Sequence, residues 1–188
     1  MSLDLTLVNV LLNLNQIMDN STQHDDDQEI STQTANYNPE ANLSYDMEVK
    51  LCILANQLLH GSYWFLLLDL MFTTKLQLRG LARSARQREA ACRESATTIM
   101  SWVMEKGGRV RMVDIAKPDC GREEDFTAEY SVRTMANVDS WLEQGVREVL
   151  EMVVGKEMEG MEEMLKGVLE KHREFYWDSQ AMKNKVFQ

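Results

Sequence analysis

The sequence predicts an all-α fold: a four-helix bundle with one long connection between its second and third helices. Three observations predict it. Apolar residues recur at intervals of three and four through almost everything after residue 42, the spacing that gathers side chains on one helical face. Only two prolines and nine glycines interrupt the 188 residues, which leaves room for long helices. No run carries the period-two alternation of a half-buried strand.

The first helix opens at Ser44, a side-chain acceptor for free amides, with Asp46 and Glu48 in its first turn. Leu51, Leu54, Ala55, Leu58, Ser62, Phe65, Leu66 and Leu70 form its inward side, and it ends near Phe72-Thr73-Thr74. The second spans about Leu76 to Glu105 and stops at Gly107-Gly108, with Leu81, Ala85, Cys92, Ser95, Ile99 and Val103 on its buried face. An irregular stretch follows from Arg109 to Glu124. The third helix runs from about Asp125 to Val154, with Val132, Met135, Leu142, Val146, Val149 and Val153 inward. After Gly155 comes the fourth, with Met161, Met164, Leu165, Val168, Leu169, His172, Phe175, Tyr176, Met182 and Val186. Helices of roughly thirty residues are about 45 Å long. The sixteen residues from 109 to 124 are long enough to run the length of such a bundle, which sets the second and third helices parallel.

Residues 1–36 read as an extension to a bundle over 37–188. Leu3, Leu7, Leu11, Leu14 and Met18 line one side of a short helix over 3–18, too short to span a bilayer and interrupted by Asn9, Asn13 and Asn15. Residues 19–36 are polar and acidic and read as a disordered linker. The net charge of −10 argues against general binding to nucleic acid or to an anionic membrane. Cys52, Cys92 and Cys120 are too few and too scattered for a disulfide framework or a zinc pattern, and suit a cytoplasmic setting. The sequons Asn20-Ser21-Thr22 and Asn42-Leu43-Ser44 matter only in a secreted chain.

Lys106-Gly107-Gly108-Arg109, followed by Asp114-Ile115-Ala116-Lys117-Pro118, resembles the crossover of eukaryotic ferritins, which show Gly-Gly-Arg and then Asp-Ile-x-Lys-Pro at this spacing. His60-Gly61-Ser62-Tyr63 resembles the family's Ala-Ser-Tyr, and Asn137-Val138 its Asn-Val. The resemblance covers about residues 37–188. It implies a ferritin-like bundle built into a hollow cage. The chain stops at Gln188, where the fourth helix should end, so the family's short fifth helix is expected to be absent.

Ferritin catalysis takes place at a di-iron ferroxidase centre inside the bundle. Hard, redox-active iron wants oxygen ligands and open positions for O2, hence carboxylates and one imidazole. By the resemblance, the first-helix Glu falls on Leu58, the second-helix Glu-x-x-His on Cys92 and Ser95, and the third-helix Glu on Met135. The fourth-helix Gln falls on Leu169 in the ungapped register, or on Trp177 if Glu170-Lys171-His172 is matched to the family's Glu-Thr-His. A family Tyr becomes Phe65. Every ligand position has changed. The resemblance therefore implies a catalytically inactive cage subunit and not an enzyme. No cofactor is expected at a di-iron centre, and any iron would lie in the cavity. The implied partners are further copies in a large homo-oligomer or a ferritin heavy-type chain, with no nucleic acid and no membrane. The alternative is a non-iron structural or chaperone-like shell, or an interaction protein on the same bundle.

Two surface features follow from the same resemblance. Glu159 and Glu162 fall on the acidic positions that line ferritin's threefold entry channels, which makes them the metal candidates. The cavity-facing positions of the second helix, Arg83, Gln87, Ala90, Ala91 and Glu94, hold one acid, and Arg83 joins Arg79 and Arg86 in a basic stripe. Trp64, Trp102, Trp141 and Trp177 are expected beyond the core stripe, where they would suit subunit contacts. His172 reads as a hydrogen-bonded core residue and the thirteen methionines as core filler.

Overall fold

The structure, a computed structural model, describes residues 43–115, 117–118, 126–155 and 160–186. All of them belong to the compact unit Glu40–Gln188. The expected short helix over 3–18 and linker over 19–36 lie outside the described residues, as does Cys120. The described residues hold four helices and no strand: α1 Tyr45–Thr74, α2 Arg79–Glu105, α3 Ala128–Val153 and α4 Met161–Val186.

α1 starts where Ser44 predicts. Ser44 Oγ accepts the Met47 N–H at 3.4 Å, and Asp46 and Glu48 follow in the first turn. The inward register is Leu51, Leu54, Ala55, Leu58, Ser62, Phe65, Leu68 and Phe72. Leu66 and Leu70, expected inward, are 46% and 52% exposed. The helix is apolar on more than one face, and Leu68 and Phe72 continue the steps of three and four from Phe65 while Leu66 and Leu70 fall to one side. α1 is the one described helix long and apolar enough to cross a membrane by length and composition, but 67% of its most apolar stretch is buried inside the protein.

α2 begins at Arg79, three residues later than the pattern suggests. The chain first closes a tight turn, with Lys75 and Leu76 N–H bonding to Met71 C=O, Leu78 N–H bonding to Phe72 C=O, and Gln77 at φ 56°. That conformation cannot continue a right-handed helix. Leu81, expected on the buried face, is only half-buried, and Ala82 takes the inward place. At the other end Gly107 sits at φ 78°, and Gly108 N–H reaches back to Val103 C=O at 2.9 Å, a glycine-dependent helix stop. α3 starts at Ala128, with Thr127 Oγ1 accepting Tyr130 N–H at 3.0 Å. Its six expected inward residues are all buried. α4 has Glu162 and Glu163 in its first turn and Lys183 and Lys185 in its last, the polarity its dipole favours.

Side-chain pairs fix the topology. A Cβ on Gly145 would meet the Gln57 side-chain amide, and one on Gly61 would meet Leu142 Cδ1 at 2.7 Å, so α1 and α3 run antiparallel at close approach. Arg88 meets Asp178 while Ser95 meets His172, so α2 and α4 are antiparallel too. The short turn makes α1 and α2 antiparallel. The order is therefore up, down, down, up, with one long crossover between α2 and α3.

The start of the crossover is held by a ladder of α1 side chains. Arg109 N–H donates to Glu48 Oε2 at 3.0 Å, and the Cys52 thiol donates to Arg109 C=O at 3.5 Å. Arg111 N–H donates to Cys52 Sγ at 3.3 Å, and Asn56 Nδ2 donates to Arg111 C=O at 3.2 Å. Val113 N–H closes the series on Asn56 Oδ1 at 3.4 Å. Four helical residues rise about 6 Å and two extended residues about 6.6 Å. Side chains four apart on α1 thus match alternate residues of the extended crossover.

Candidate functional site

The bundle interior gathers the five positions singled out by the sequence. Leu58, Cys92 and Met135 are fully buried, Ser95 is 3% exposed and Leu169 is 7% exposed. Phe65 is also fully buried, whereas Trp177, the alternative fourth-helix position, is 63% exposed. Of the two fourth-helix candidates, Leu169 lies in the interior and Trp177 does not. Ser95 Oγ lies 3.3 Å from His172 Nε2, one turn along α4 from Leu169. Burial, with a smaller push from Lys171, lowers the His172 pKa to about 4, so this imidazole is neutral around pH 7. Burial, with a smaller push from Asp139, raises the Cys92 thiol well above its usual range. A protonated thiol, two leucines, a thioether and a hydroxyl engaged with imidazole do not fit a di-iron centre. Among the described residues no group of three His, Cys, Asp or Glu side chains is placed to hold a metal.

One turn along from these positions lies a cluster that the sequence reading missed. Arg88 is 1% exposed. Its Nε donates to Asp139 Oδ2 at 2.9 Å, and Nη2 donates to Asp178 Oδ2 at 2.9 Å and to Phe175 C=O at 3.1 Å. Nη1 donates to Ser84 Oγ and, at 3.3 Å, to Ser84 C=O. The guanidinium also stacks 4.8 Å from the Phe175 ring centroid. Arg88 thus ties α2 to α3 and α4. A signal was available, because Arg88 falls in the register Ala85, Cys92, Ser95 and Ile99, and Asp139 in the register Met135, Leu142 and Val146. Charged residues in a buried register are rare unless paired.

The other candidates are placed as follows. Glu162 is half-buried at the start of α4 and forms an ion pair with Lys166; Glu159 lies outside the described residues. Arg83, Gln87, Ala90 and Glu94 face outward on α2, but Ala91 is buried at 6% exposure and does not belong to that face. Its step of three from Arg88 carries it inward. Glu94 is held below the usual carboxylate range by its hydrogen bond to Lys171, at 2.8 Å. Within the basic stripe, Arg86 is bound to Asp69 of α1 at 3.0 Å. Of the tryptophans, Trp64 and Trp141 are buried inside the subunit, which removes them from any contact between copies. His60 explains both, since Trp64 Nε1 donates to His60 Nε2 at 3.2 Å and the imidazole meets Trp141 edge-on at 5.7 Å.

This geometry has counterparts among solved structures. No family profile matches the chain, and no curated protein does. An open-pore ferritin from the hyperthermophilic archaeon Archaeoglobus fulgidus superposes with a TM-score of 0.67 at 17% identity, over 77% of this chain and 86% of that one. A humanized archaeal ferritin gives 0.68 at 19% identity, over 77% and 85%. A form of the Archaeoglobus ferritin engineered to be closed gives 0.67 at 17%, over 77% and 85%. The fold is that of the ferritin-like four-helix bundles.

Proposed function

We propose that this chain is a ferritin-type cage subunit without a ferroxidase centre of its own. Its role is structural or iron-storing, in a homo-oligomer or beside an active heavy-type chain. The observation that carries this reading is the replaced donor set at Leu58, Cys92, Ser95, Met135 and Leu169, all buried, with Ser95 alone offering an oxygen. Apolar and sulfur side chains fill that volume without the desolvation cost of metal-free carboxylates. Assembly is supported by apolar surface that the bundle does not use. Tyr63, Leu66 and Leu70 on α1 are 50%, 46% and 52% exposed, and Met112 and Val113 on the crossover 55% and 46%. Iron, in this reading, is cargo drawn inward past Glu159 and Glu162. The buried free thiols Cys52 and Cys92 suit a reducing cytoplasm.

A non-iron shell or interaction protein is the second reading. It is favoured by the outward face of α2, where Arg79 and Arg83 are exposed and Glu94, the one acid among the expected cavity-facing positions, is already paired with Lys171. Native mass measurement and sedimentation test the assembly, with a large oligomer expected. A species of single-chain mass, unchanged on co-expression with an active ferritin chain, would remove the cage. Oxygen-dependent Fe²⁺ oxidation is expected to stay at the buffer rate, and iron retention after loading separates storage from the non-iron shell.

A further inference from the structure

Asp139 Oδ1 is the one buried side-chain oxygen or nitrogen among the described residues with no hydrogen-bond partner. The carboxyl is 1% exposed, and its other oxygen takes a single bond, from Arg88 Nε at 2.9 Å. The remaining donors of Arg88 are spent on Asp178, Phe175 C=O and Ser84. Two carboxylates therefore share one guanidinium, which leaves one uncompensated negative charge. Asp178 is 55% exposed and can keep that charge in water; Asp139 cannot. Ser179 Oγ, fully buried, lies beside the Asp139 carboxyl and already donates its hydrogen bond to Tyr176 C=O at 3.0 Å. That hydroxyl also favours the ionised form of Asp139, but by less than burial opposes it.

We infer that Asp139 is a proton-binding site in the bundle interior, with Oδ1 carrying the proton while Oδ2 still accepts from Arg88. One proton removes the uncompensated charge, and the tie between α2, α3 and α4 has a protonated and an ionised setting. The inference stands apart from the cage reading and from any metal. The groups acting on Asp139 are Arg88 from α2 and Asp178 and Ser179 from α4; Cys92 of α2 feels its charge in turn. None of the groups acting on it comes from α1. Burial outweighs Arg88 and moves the Asp139 pKa from 3.8 up to about 6. The sign follows from a folded-state value above the unfolded one. The stabilisation is complete below the unfolded value and is lost as pH rises through about 6.

The test uses the full chain with carbon-13-labelled aspartate, the Asp139 signal being assigned by its loss in Asp139→Asn. One carboxyl midpoint close to pH 6 is expected; aspartates that all titrate in the ordinary range would overturn the site. In Ser179→Ala the raised midpoint should climb further, because the lost hydroxyl favours the ionised form, and a midpoint that falls into the ordinary carboxylate range overturns the site. Asp139→Asn mimics the protonated form, since its amide is neutral and can still accept from Arg88. The ratio of its folding constant to that of the wild type should grow roughly fiftyfold from pH 4 to pH 8. A ratio constant with pH would also sink the proposal. If Asp139→Asn fails to fold, Ser179→Ala still moves the one signal with a raised midpoint, so the test stands.

Discussion

Arg88 and Asp139 bind each other at 2.9 Å in the middle of the bundle, with 1% of either side chain exposed. They sit one turn from Cys92 and Met135, where the ferritin resemblance would put two metal-binding glutamates. In a metal-bearing bundle a bound cation links the helices. Here an arginine side chain makes the link from α2 to α3 and α4, and it does so through a covalently attached charge that cannot dissociate. Buried ion pairs contribute little net stability when intact, but a lone buried charge is costly.

Removing the cation alone should therefore be severe. Arg88→Met leaves Asp139 buried without its partner and is expected to lose about 3–5 kcal/mol at pH 8. The double change Arg88→Met with Asp139→Leu removes both charges and should recover most of that loss. Urea denaturation of the four chains in this cycle measures it. A double variant as unstable as Arg88→Met would show that packing around the guanidinium, and not its charge, is what α3 and α4 need.

The helices were legible because their apolar periodicity is strong, and the crossover because Gly107 and Gly108 stop α2 where a left-handed residue is required. Helix starts were less legible. Nothing in Leu76-Gln77-Leu78 marks a break, because Gln77 takes its positive φ from the turn and not from its own preference. Leu66 and Leu70 misled because α1 is apolar on more than one face, and periodicity cannot choose between two apolar faces. Trp64 and Trp141 fall outside the inward registers of the pattern, and what buries them is His60, one turn from Trp64 on α1 and edge-on to Trp141 of α3. Arg88 and Asp139 were passed over because composition treats a charge as surface, and only their register shows otherwise.

His172 and Asp139 pull stability in opposite directions with pH, and buried His60, its pKa also lowered by burial, acts in the sense of His172. His172 has a folded-state pKa lowered from 6.5 to about 4, so its contribution is present above 6.5 and is lost as pH falls through about 4. That span corresponds to about 3 kcal/mol. Asp139 acts in the reverse sense, gaining over part of the same range. These two contributions nearly cancel between about pH 6 and 4, so the wild type should show a shallow stability profile over that range. His172→Phe removes the histidine contribution and should stay stable into more acid solution than the wild type, relative to each chain's stability at pH 8. Thermal unfolding across pH 4 to 8 is the measurement. A parallel decline in both chains would assign the acid sensitivity elsewhere.

The ladder on α1 makes Asn56 a two-way clip, donating to Arg111 C=O and accepting from Val113 N–H. It also donates to Cys52 C=O at 2.8 Å within its own helix. Asn56→Leu keeps the volume and strips the crossover of both bonds. The expected cost is about 1–3 kcal/mol, set by leaving part-buried backbone groups unpaired. Hydrogen exchange should accelerate at Val113 more than at Arg109, whose N–H is held by Glu48. Uniform exchange across 109–113 in the variant would mean that the ladder is one cooperative unit and not a series of separate clips.

The replaced donor set can be reversed as a direct test of the correspondence. Leu58→Glu, Cys92→Glu, Ser95→His and Met135→Glu together put three carboxylates and an imidazole on buried positions of α1, α2 and α3. Without metal, those charges should destabilise the bundle by several kcal/mol, since each carboxylate must be desolvated or take up a proton. The new imidazole would meet His172, which already faces position 95 at 3.3 Å. A companion His172→Gln change relieves that crowding. Fe²⁺ should bind the variant and raise its unfolding temperature while leaving the wild type's unchanged, because a ligand that binds only the folded state stabilises it by mass action. Calorimetric titration and thermal unfolding with and without Fe²⁺ read both effects. A variant that folds, keeps its helical content and binds no iron would show that these four positions do not converge as the ferritin correspondence requires.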